Sequence, residues 1–193
     1  MNDGPDKKRS GRLQLLLVAL IFILPLAAAS WMYYSGSAPR PQATTNHGVL
    51  LTPIQNVNEL LGETGFTRAI ADHWALVYVY TAPCADACRD ALYKLRQSRL
   101  MLGNDMNRVV RVMLHGSEAP DTLLLTEEHA GLIALQESAA DRLLDQAYPV
   151  ADDLGGYYLI DPLGNLVLYF PTEITPRNLV DDIEHLLKLS SIG

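Results

Sequence analysis

The chain has 193 residues, two cysteines, 49% hydrophobic residues and a formal net charge of −7 at pH 7. This length indicates one globular domain with additional segments. Beyond residue 34 there are 20 acidic but only 11 basic side chains. Because nucleic acid is bound by basic surfaces, this balance argues against a nucleic-acid partner.

The first element is an apolar segment, residues 13–34, which is long enough to span a bilayer. The preceding residues 1–12 carry the basic side chains Lys7, Lys8, Arg9 and Arg12. The positive-inside rule therefore predicts a single-pass inner-membrane protein with a cytoplasmic N-terminus and a periplasmic C-terminal domain. An aromatic belt supports an uncleaved anchor and consists of Trp31, Tyr33 and Tyr34. The alternative is a cleaved signal peptide, because Ala27-Ala28-Ala29 resembles a cleavage site.

Residues 35–46 are rich in Pro, Ser, Ala and Thr without periodicity, which predicts a linker. Residues 47–193 then form the predicted extracytoplasmic domain. It begins with a short edge strand at His47–Leu51 and a helical turn near Thr67–Ala71. Trp74–Tyr80 is apolar and rich in β-branched and aromatic residues, which is typical of a buried strand.

A helix from Cys88 to Leu102 and a strand from Arg108 to Leu114 follow the buried strand. This order predicts a parallel βαβ unit. Thr126–Gln136 and Ser138–Ala147 are predicted to be helical, with Thr126 as a cap. The remaining predicted elements are a hairpin of Tyr157–Ile160 and Asn165–Tyr169 and a last helix from Thr175-Pro176 to Leu189. The order β-α-β-α-β-β-α, with cysteines after the first core strand, predicts an α/β domain of the thioredoxin-like fold.

Cys84 and Cys88 lie in the sequence CADAC at the predicted start of a helix. The helix N-terminus favours a thiolate, so at least one thiol should have a lowered pKa, although Asp86 between the cysteines should raise it. In an oxidising compartment we expect a reversible disulfide rather than an inert core pair. Two chemistries stay open: thiol–disulfide exchange, and binding of Cu(I) by soft thiolates.

Three segments together resemble the Sco/SenC family: TAPCADAC, RVVRVML and YYLIDPLGNLVLYF. The resemblance implies a membrane-anchored thioredoxin-like protein that helps to assemble the copper centre of cytochrome c oxidase. It also implies copper binding by Cys84 and Cys88. The Y-L-I-D-P-x-G turn at Tyr158–Gly164 is a strong feature of that family.

The chain departs from the family at the third copper ligand. The family has a histidine five residues before the tyrosine of Y-L-I-D-P, where this chain has Asp153, and Arg89 replaces a usual proline. Asp153 offers only oxygen, which suits Cu(II) poorly beside two thiolates, so Cu(I) is favoured over Cu(II). His115 is the other candidate third ligand, because it ends a strand at the sheet edge where the cysteines follow theirs.

We therefore predict an accessory protein for haem–copper oxidase assembly that handles copper or controls thiol redox state. The predicted partners are the membrane and an oxidase subunit or another assembly factor. A metallochaperone or thiol-redox accessory role is favoured over a classical enzyme. The alternatives are a general periplasmic thiol–disulfide oxidoreductase and a non-catalytic scaffold, either of which would need no copper. The oxidoreductase would lack its usual substrate-clamping cis-proline, since Gly155-Gly156 precede Tyr157.

Overall fold

The computed structural model describes residues 6–35, 46–80, 83–116, 118–136, 155–190 and 192. The chain forms two compact units, residues 1–44 and residues 45–193. The predicted helix Ser138–Ala147 and the residue Asp153 lie outside the described residues. The linker prediction falls almost entirely outside them as well.

The first unit contains one long helix, α1, from Asp6 to Ser35. Its segment Gln14–Ser35 has a mean hydropathy of 2.5, and none of the most apolar stretch is buried. Such an exposed apolar surface is unfavourable in water, whereas 22 residues suffice to cross a bilayer. The helix is therefore a candidate membrane span. Pro25 lies inside the helix, as membrane-spanning helices tolerate.

The second unit is built on one six-stranded sheet with the strand order β1-β6-β5-β2-β3-β4. The strands are β1 Val49–Asn56, β2 Trp74–Tyr80, β3 Val109–His115, β4 Leu132–Gln136, β5 Gly156–Ile160 and β6 Asn165–Phe170. β2, β3 and β4 are mutually parallel, and β5 pairs antiparallel to both β2 and β6. β2 is buried along its whole length because it lies inside the sheet with both faces covered.

The helices of this unit cover both faces of the sheet. They are α2 Val57–Leu61, α3 Gly65–Ile70, α4 Asp86–Met101 and α5 Pro176–Leu189, with a 3-10 helix at Gly103–Arg108. Alternate residues of β2 divide between two cores: Leu76 and Tyr78 pack with α4 and α5, whereas Val77 and Val79 pack with α2 and α3. Side chains two residues apart on β2 therefore lie on the same face of the sheet. This alternation determines which β2 side chains lie near the cysteines.

The predicted thioredoxin-like α/β fold is confirmed, and the central elements agree closely with the sequence pattern. β2 has the predicted bounds, β3 is parallel to it, and Thr175 caps α5 with Pro176 in the first turn. The edge strand β1 is present but extends to Asn56. The crossover helix α4 begins at Asp86, two residues before the predicted start.

The helix predicted for Thr126–Gln136 is wrong. A short π-helical turn, Leu124–Glu128, is followed by Gly131 at a φ of 79° and then by β4. Thr126 is not a cap, because its hydroxyl donates to the Thr122 carbonyl. The good helix formers of this segment are overridden because Leu132–Gln136 pairs with β3 over its full length.

A buried carboxylate fixes the start of this domain to its last helix. Asp182 of α5 is 7% exposed and accepts hydrogen bonds from the backbone N–H groups of His47, at 3.1 Å, and Gly48, at 2.8 Å. The carboxylate thus accepts hydrogen bonds from two backbone N–H groups that lie just before β1 and are not paired within the sheet.

Replacing Asp182 by Ala should lower the free energy of unfolding by about 2–3 kcal/mol, because it strands two backbone donors that bonded to a charge. Asp181→Ala is the matched control: that carboxylate is exposed and pairs with Arg177 at 3.2 Å, so about 0.5 kcal/mol is expected. Chemical denaturation of the full chain in a neutral detergent measures both. Equal losses in the two variants would contradict the role of Asp182.

Candidate functional site

Cys84 and Cys88 form a disulfide at the start of α4, with their Cα atoms 5.1 Å apart. β2 ends at Tyr80 and α4 begins at Asp86, so both sulfurs lie where the chain turns from the central strand into its crossover helix. Ligand and reaction sites of open α/β sheets gather at this carboxyl edge of the parallel strands. The expected disulfide is therefore present in the fold.

The two sulfurs differ in access. Cys84 precedes the helix and is partly exposed, whereas Cys88 lies in the first turn and is fully buried. The first backbone N–H groups of α4 have no intrahelical acceptor, and no side chain caps them at Ala85. These free donors stabilise negative charge on a nearby sulfur. An incoming thiolate can therefore reach Cys84 more readily than Cys88.

Three tyrosines lie beneath the first turns of α4. Tyr78 and Tyr80 stack with ring centroids 5.7 Å apart, and Tyr157 lies 5.3 Å from Tyr78. The Tyr157 hydroxyl donates to the Ala91 carbonyl at 3.0 Å, which links β5 to α4. Burial, followed by the neighbouring tyrosine, raises the pKa of Tyr78 and of Tyr157 far above its usual range. The phenols of Tyr78 and Tyr157 therefore stay neutral at physiological pH.

A cavity of about 250 Å³ opens beside this turn. Its lining consists of Tyr78, Tyr80, Ala87, Asp90, Lys94, Thr172 and Glu173. The cavity wall is held by Lys94, which pairs with Asp90 at 2.8 Å and donates to the Thr172 carbonyl at 2.9 Å. No sequence motif predicts this cavity, although Tyr78 and Tyr80 are two residues apart on β2 and therefore lie on one face of the sheet.

His115 is the last residue of β3 and pairs in register with Tyr80. Met113, two residues earlier, packs in the core under α4, so His115 lies on the same face of the sheet. The imidazole is buried, and Nδ1 lies 2.9 Å from the Gly116 carbonyl oxygen. When Nδ1 carries the proton and donates to that oxygen, Nε2 keeps a lone pair for a metal or a proton.

Of the two predicted third ligands, only His115 lies among the described residues, and it belongs to no metal-binding group there. Among the described residues, no group of three or more His, Cys, Asp or Glu side chains could hold a metal ion. Asp153 lies outside those residues, and the cysteine sulfurs are joined to each other. A disulfide has no thiolate to offer, so reduction must precede any metal binding by this pair.

His129 lies in the segment Thr126–Gln136, for which a helix was predicted. It is buried after the π-helical turn, and its pKa is lowered by burial and by the nearby Arg111. His73 is exposed at the other end of β2, and His47 is exposed before β1. None of these three histidines lies at the cysteine edge of β2.

The described residues of the second unit therefore form a thioredoxin-like α/β domain with a disulfide at the start of its crossover helix. The chain belongs to the family described as transmembrane-like, thioredoxin-like, C-terminal domain, whose profile matches residues 74–190. The profile of the accompanying transmembrane-like N-terminal domain matches residues 5–36. These two matches and the apolar α1 characterise a single-pass membrane protein.

Solved structures of Sco proteins share this fold. The apo Sco1 protein from Thermus thermophilus is 15% identical, with a TM-score of 0.55 over 75% of this chain and 99% of that one. Arabidopsis thaliana ScoI with copper bound is 21% identical, with a TM-score of 0.50 over 64% and 88%. Yeast Sco1 with copper bound is 18% identical, with a TM-score of 0.50 over 63% and 82%. A search of curated proteins found no match. The resemblance to Sco proteins is thus confirmed in the fold.

Proposed function

We propose that this protein is an accessory factor for the assembly of a haem–copper oxidase, acting through reversible chemistry of Cys84 and Cys88. The observation that carries the proposal is the disulfide at the N-terminus of α4 in a Sco-like fold. The likeness in fold to ScoI and Sco1 structures with copper bound supports copper chemistry as the setting. A candidate membrane span in the same chain supports action beside a membrane-bound partner.

The thiol step follows from the unequal access of the sulfurs. A partner thiolate attacks Sγ of the more exposed Cys84, the sulfur–sulfur bond breaks, and Cys88 leaves as a thiolate in the first turn of α4. The partner's second thiolate then attacks the partner sulfur that is bonded to Cys84. This forms the partner's disulfide and releases Cys84 as a thiolate. Two electrons pass from the partner dithiol to the cysteine pair, and the partner becomes a disulfide.

The reduced pair has the chemistry to carry Cu(I). Two thiolates are soft ligands that satisfy a monovalent copper ion. Cu(II) prefers additional nitrogen donors in a tetragonal set, and Nε2 of His115 is a candidate third donor at the same sheet edge. In this scheme copper is a cargo that binds only after the Cys84–Cys88 disulfide is reduced. The redox state of the cysteine pair therefore controls copper binding.

The test is oxidase assembly in cells whose own copy of the gene is replaced. Changing Cys84 and Cys88 together to Ser should remove most of the oxidase copper-centre signal, because neither exchange nor Cu(I) binding survives without thiols. Copper content and electron paramagnetic resonance of the isolated oxidase measure it. Ala71→Ser is the control, since it adds a hydroxyl at an exposed position before the other end of β2 and keeps both sulfurs. Full assembly with the double variant would favour a non-catalytic scaffold.

A general periplasmic thiol–disulfide oxidoreductase is the second candidate function. The open cavity beside the disulfide favours it, because its tyrosine and charged lining could receive a polypeptide segment. Rapid reduction of unrelated protein disulfides by the reduced chain, with normal oxidase assembly in the double variant, would support this candidate over the first.

We also propose that α1 is an uncleaved inner-membrane anchor, with residues 1–12 in the cytoplasm, 13–34 in the membrane, 35–46 as a linker and 47–193 in the periplasm. The full-length chain is expected in the pellet after alkaline carbonate extraction of membranes, because the exposed apolar surface of α1 needs a bilayer. Protease should digest the domain only after the outer face of the inner membrane is made accessible. A soluble mature chain beginning near Ser30 would contradict the anchor.

A further inference from the structure

Arg111 is a charged side chain in the middle of β3 and is only 5% exposed. One guanidinium nitrogen, Nη2, donates to the Ala130 carbonyl at 2.7 Å. The other two, Nε and Nη1, are buried and have no hydrogen-bond partner among the described residues. Buried donors of a charged group are costly when unpaired, so they mark a place where an acceptor is missing.

Two more arginines surround the same place. A cavity of about 180 Å³ is lined by Arg96, Arg99, Leu100, Arg111, Glu127, Glu128 and Ala130. The pKa of Arg111 is lowered by burial and then by the charges of Arg99 and Arg96, so the three guanidinium groups repel one another. The arrangement therefore carries excess positive charge around an open space.

The two glutamates of the lining form no close ion pair with these arginines. Both are exposed at the rim, and among the described residues no ion pair within 4.0 Å joins either of them to an arginine. Arg99 is oriented by donating its Nε hydrogen to the Val109 carbonyl at 2.8 Å, which leaves its terminal nitrogens for another acceptor. The cavity is thus lined by guanidinium donors, two of them held by backbone carbonyls, and by two exposed carboxylates.

We propose that Arg96, Arg99 and Arg111 form a binding site for a small tetrahedral oxyanion of the phosphate class. Guanidinium groups bind phosphate oxygens through parallel N–H bonds. A tetrahedral anion directs its oxygens to several sides and can meet three guanidinium groups at once, whereas a carboxylate has two oxygens in one plane. The phosphate group can belong to a free anion or to a lipid headgroup.

This site is separate from the cysteine pair. Arg99 follows Cys88 by eleven residues of α4, which corresponds to about 16 Å along the helix axis. Arg111 pairs with Leu76 in the first half of β2, whereas the cysteines follow the end of that strand. The oxyanion site therefore does not depend on the proposed redox function.

Calorimetric titration of the full chain in a neutral detergent with inorganic phosphate, at constant ionic strength set by chloride, tests the site. Saturable binding of one phosphate per chain is expected. Arg96→Gln should weaken it at least tenfold, and Arg111→Gln should do the same if the variant folds. Arg96 is exposed, so its replacement leaves the core intact. Arg89→Gln removes the same charge from an exposed position of α4 outside the cavity and should change nothing.

Equal binding by the wild type, Arg96→Gln and Arg89→Gln would overturn the proposal, and so would a heat signal that does not saturate. The titration is repeated in nanodiscs with neutral lipid and in nanodiscs with anionic phospholipid. Weaker phosphate binding in the anionic discs, seen with the wild type and absent in Arg96→Gln, assigns the site to a lipid headgroup. Unchanged binding assigns it to a free anion.

Discussion

The full chain, reduced and kept free of oxygen, is expected to bind one Cu(I) through Cys84 and Cys88 and to hold Cu(II) weakly. Reduction opens the disulfide and supplies two thiolates, which suit a soft monovalent ion. Cu(II) needs further nitrogen donors, and the family's ligand position holds Asp153 instead of histidine. Anaerobic titration with a competing chelator, with metal counted per protein, measures the two affinities.

Single-residue substitutions show how much each candidate ligand contributes to copper binding. Cys84→Ser or Cys88→Ser should reduce Cu(I) affinity by more than about 100-fold, since even residues that only support a ligand cost 10–100-fold. Asp153→His should strengthen Cu(II) binding and its sulfur-to-copper charge-transfer absorption. His115→Ala should have little effect on Cu(I).

Tight Cu(II) binding by the unmodified chain that vanished in His115→Ala would show that the third ligand comes from β3. Binding of neither copper ion, with a disulfide that still opens and closes, would move the function to redox control of the cysteines in a partner's copper site. Thiol blocking followed by mass spectrometry, with and without reductant, follows that cycle.

Local patterns were sufficient for the central part of this fold. β2 is recognisable because seven consecutive buried residues of high β-propensity are bounded by turns. α5 is recognisable by Thr175, Pro176 and an amphipathic repeat. The cysteines stood out because only two occur and both lie between a strand and a helix.

The remaining features depend on which residues meet in space. β4 forms because its neighbour β3 offers a free edge, so the helix formers of 126–136 could not reveal it. Arg111 interrupts an apolar strand, yet only packing shows that Arg96 and Arg99 of α4 lie around it. His129, in the same segment, is buried, although the polar residues around it predict an exposed position.

Replacing Gly155 by Ala is expected to lower the free energy of unfolding by at least about 3 kcal/mol, a large effect for one methyl group. Gly155 has a φ of 90°, and a Cβ there would lie in contact with the backbone oxygen of Val79. Neither atom can move cheaply, because Val79 pairs with Gly156 inside the sheet. The Gly155 carbonyl also accepts the Tyr169 hydroxyl at 3.3 Å. The close approach explains why the residue before β5 is glycine.

Gly103→Ala separates this steric conflict from backbone strain. Gly103 also has a positive φ, 58°, but a Cβ there would meet nothing within 4 Å, so only about 1 kcal/mol should be lost. Chemical denaturation of the two variants in the same detergent gives the difference. Because Val79 and Tyr80 lead directly to the cysteine turn, Gly155→Ala should also change the rate at which a small thiol opens the Cys84–Cys88 disulfide, and Gly103→Ala should not. Equal destabilisation by the two variants would mean that β5 can shift away from β2, and the sheet would then not hold the disulfide in a fixed position.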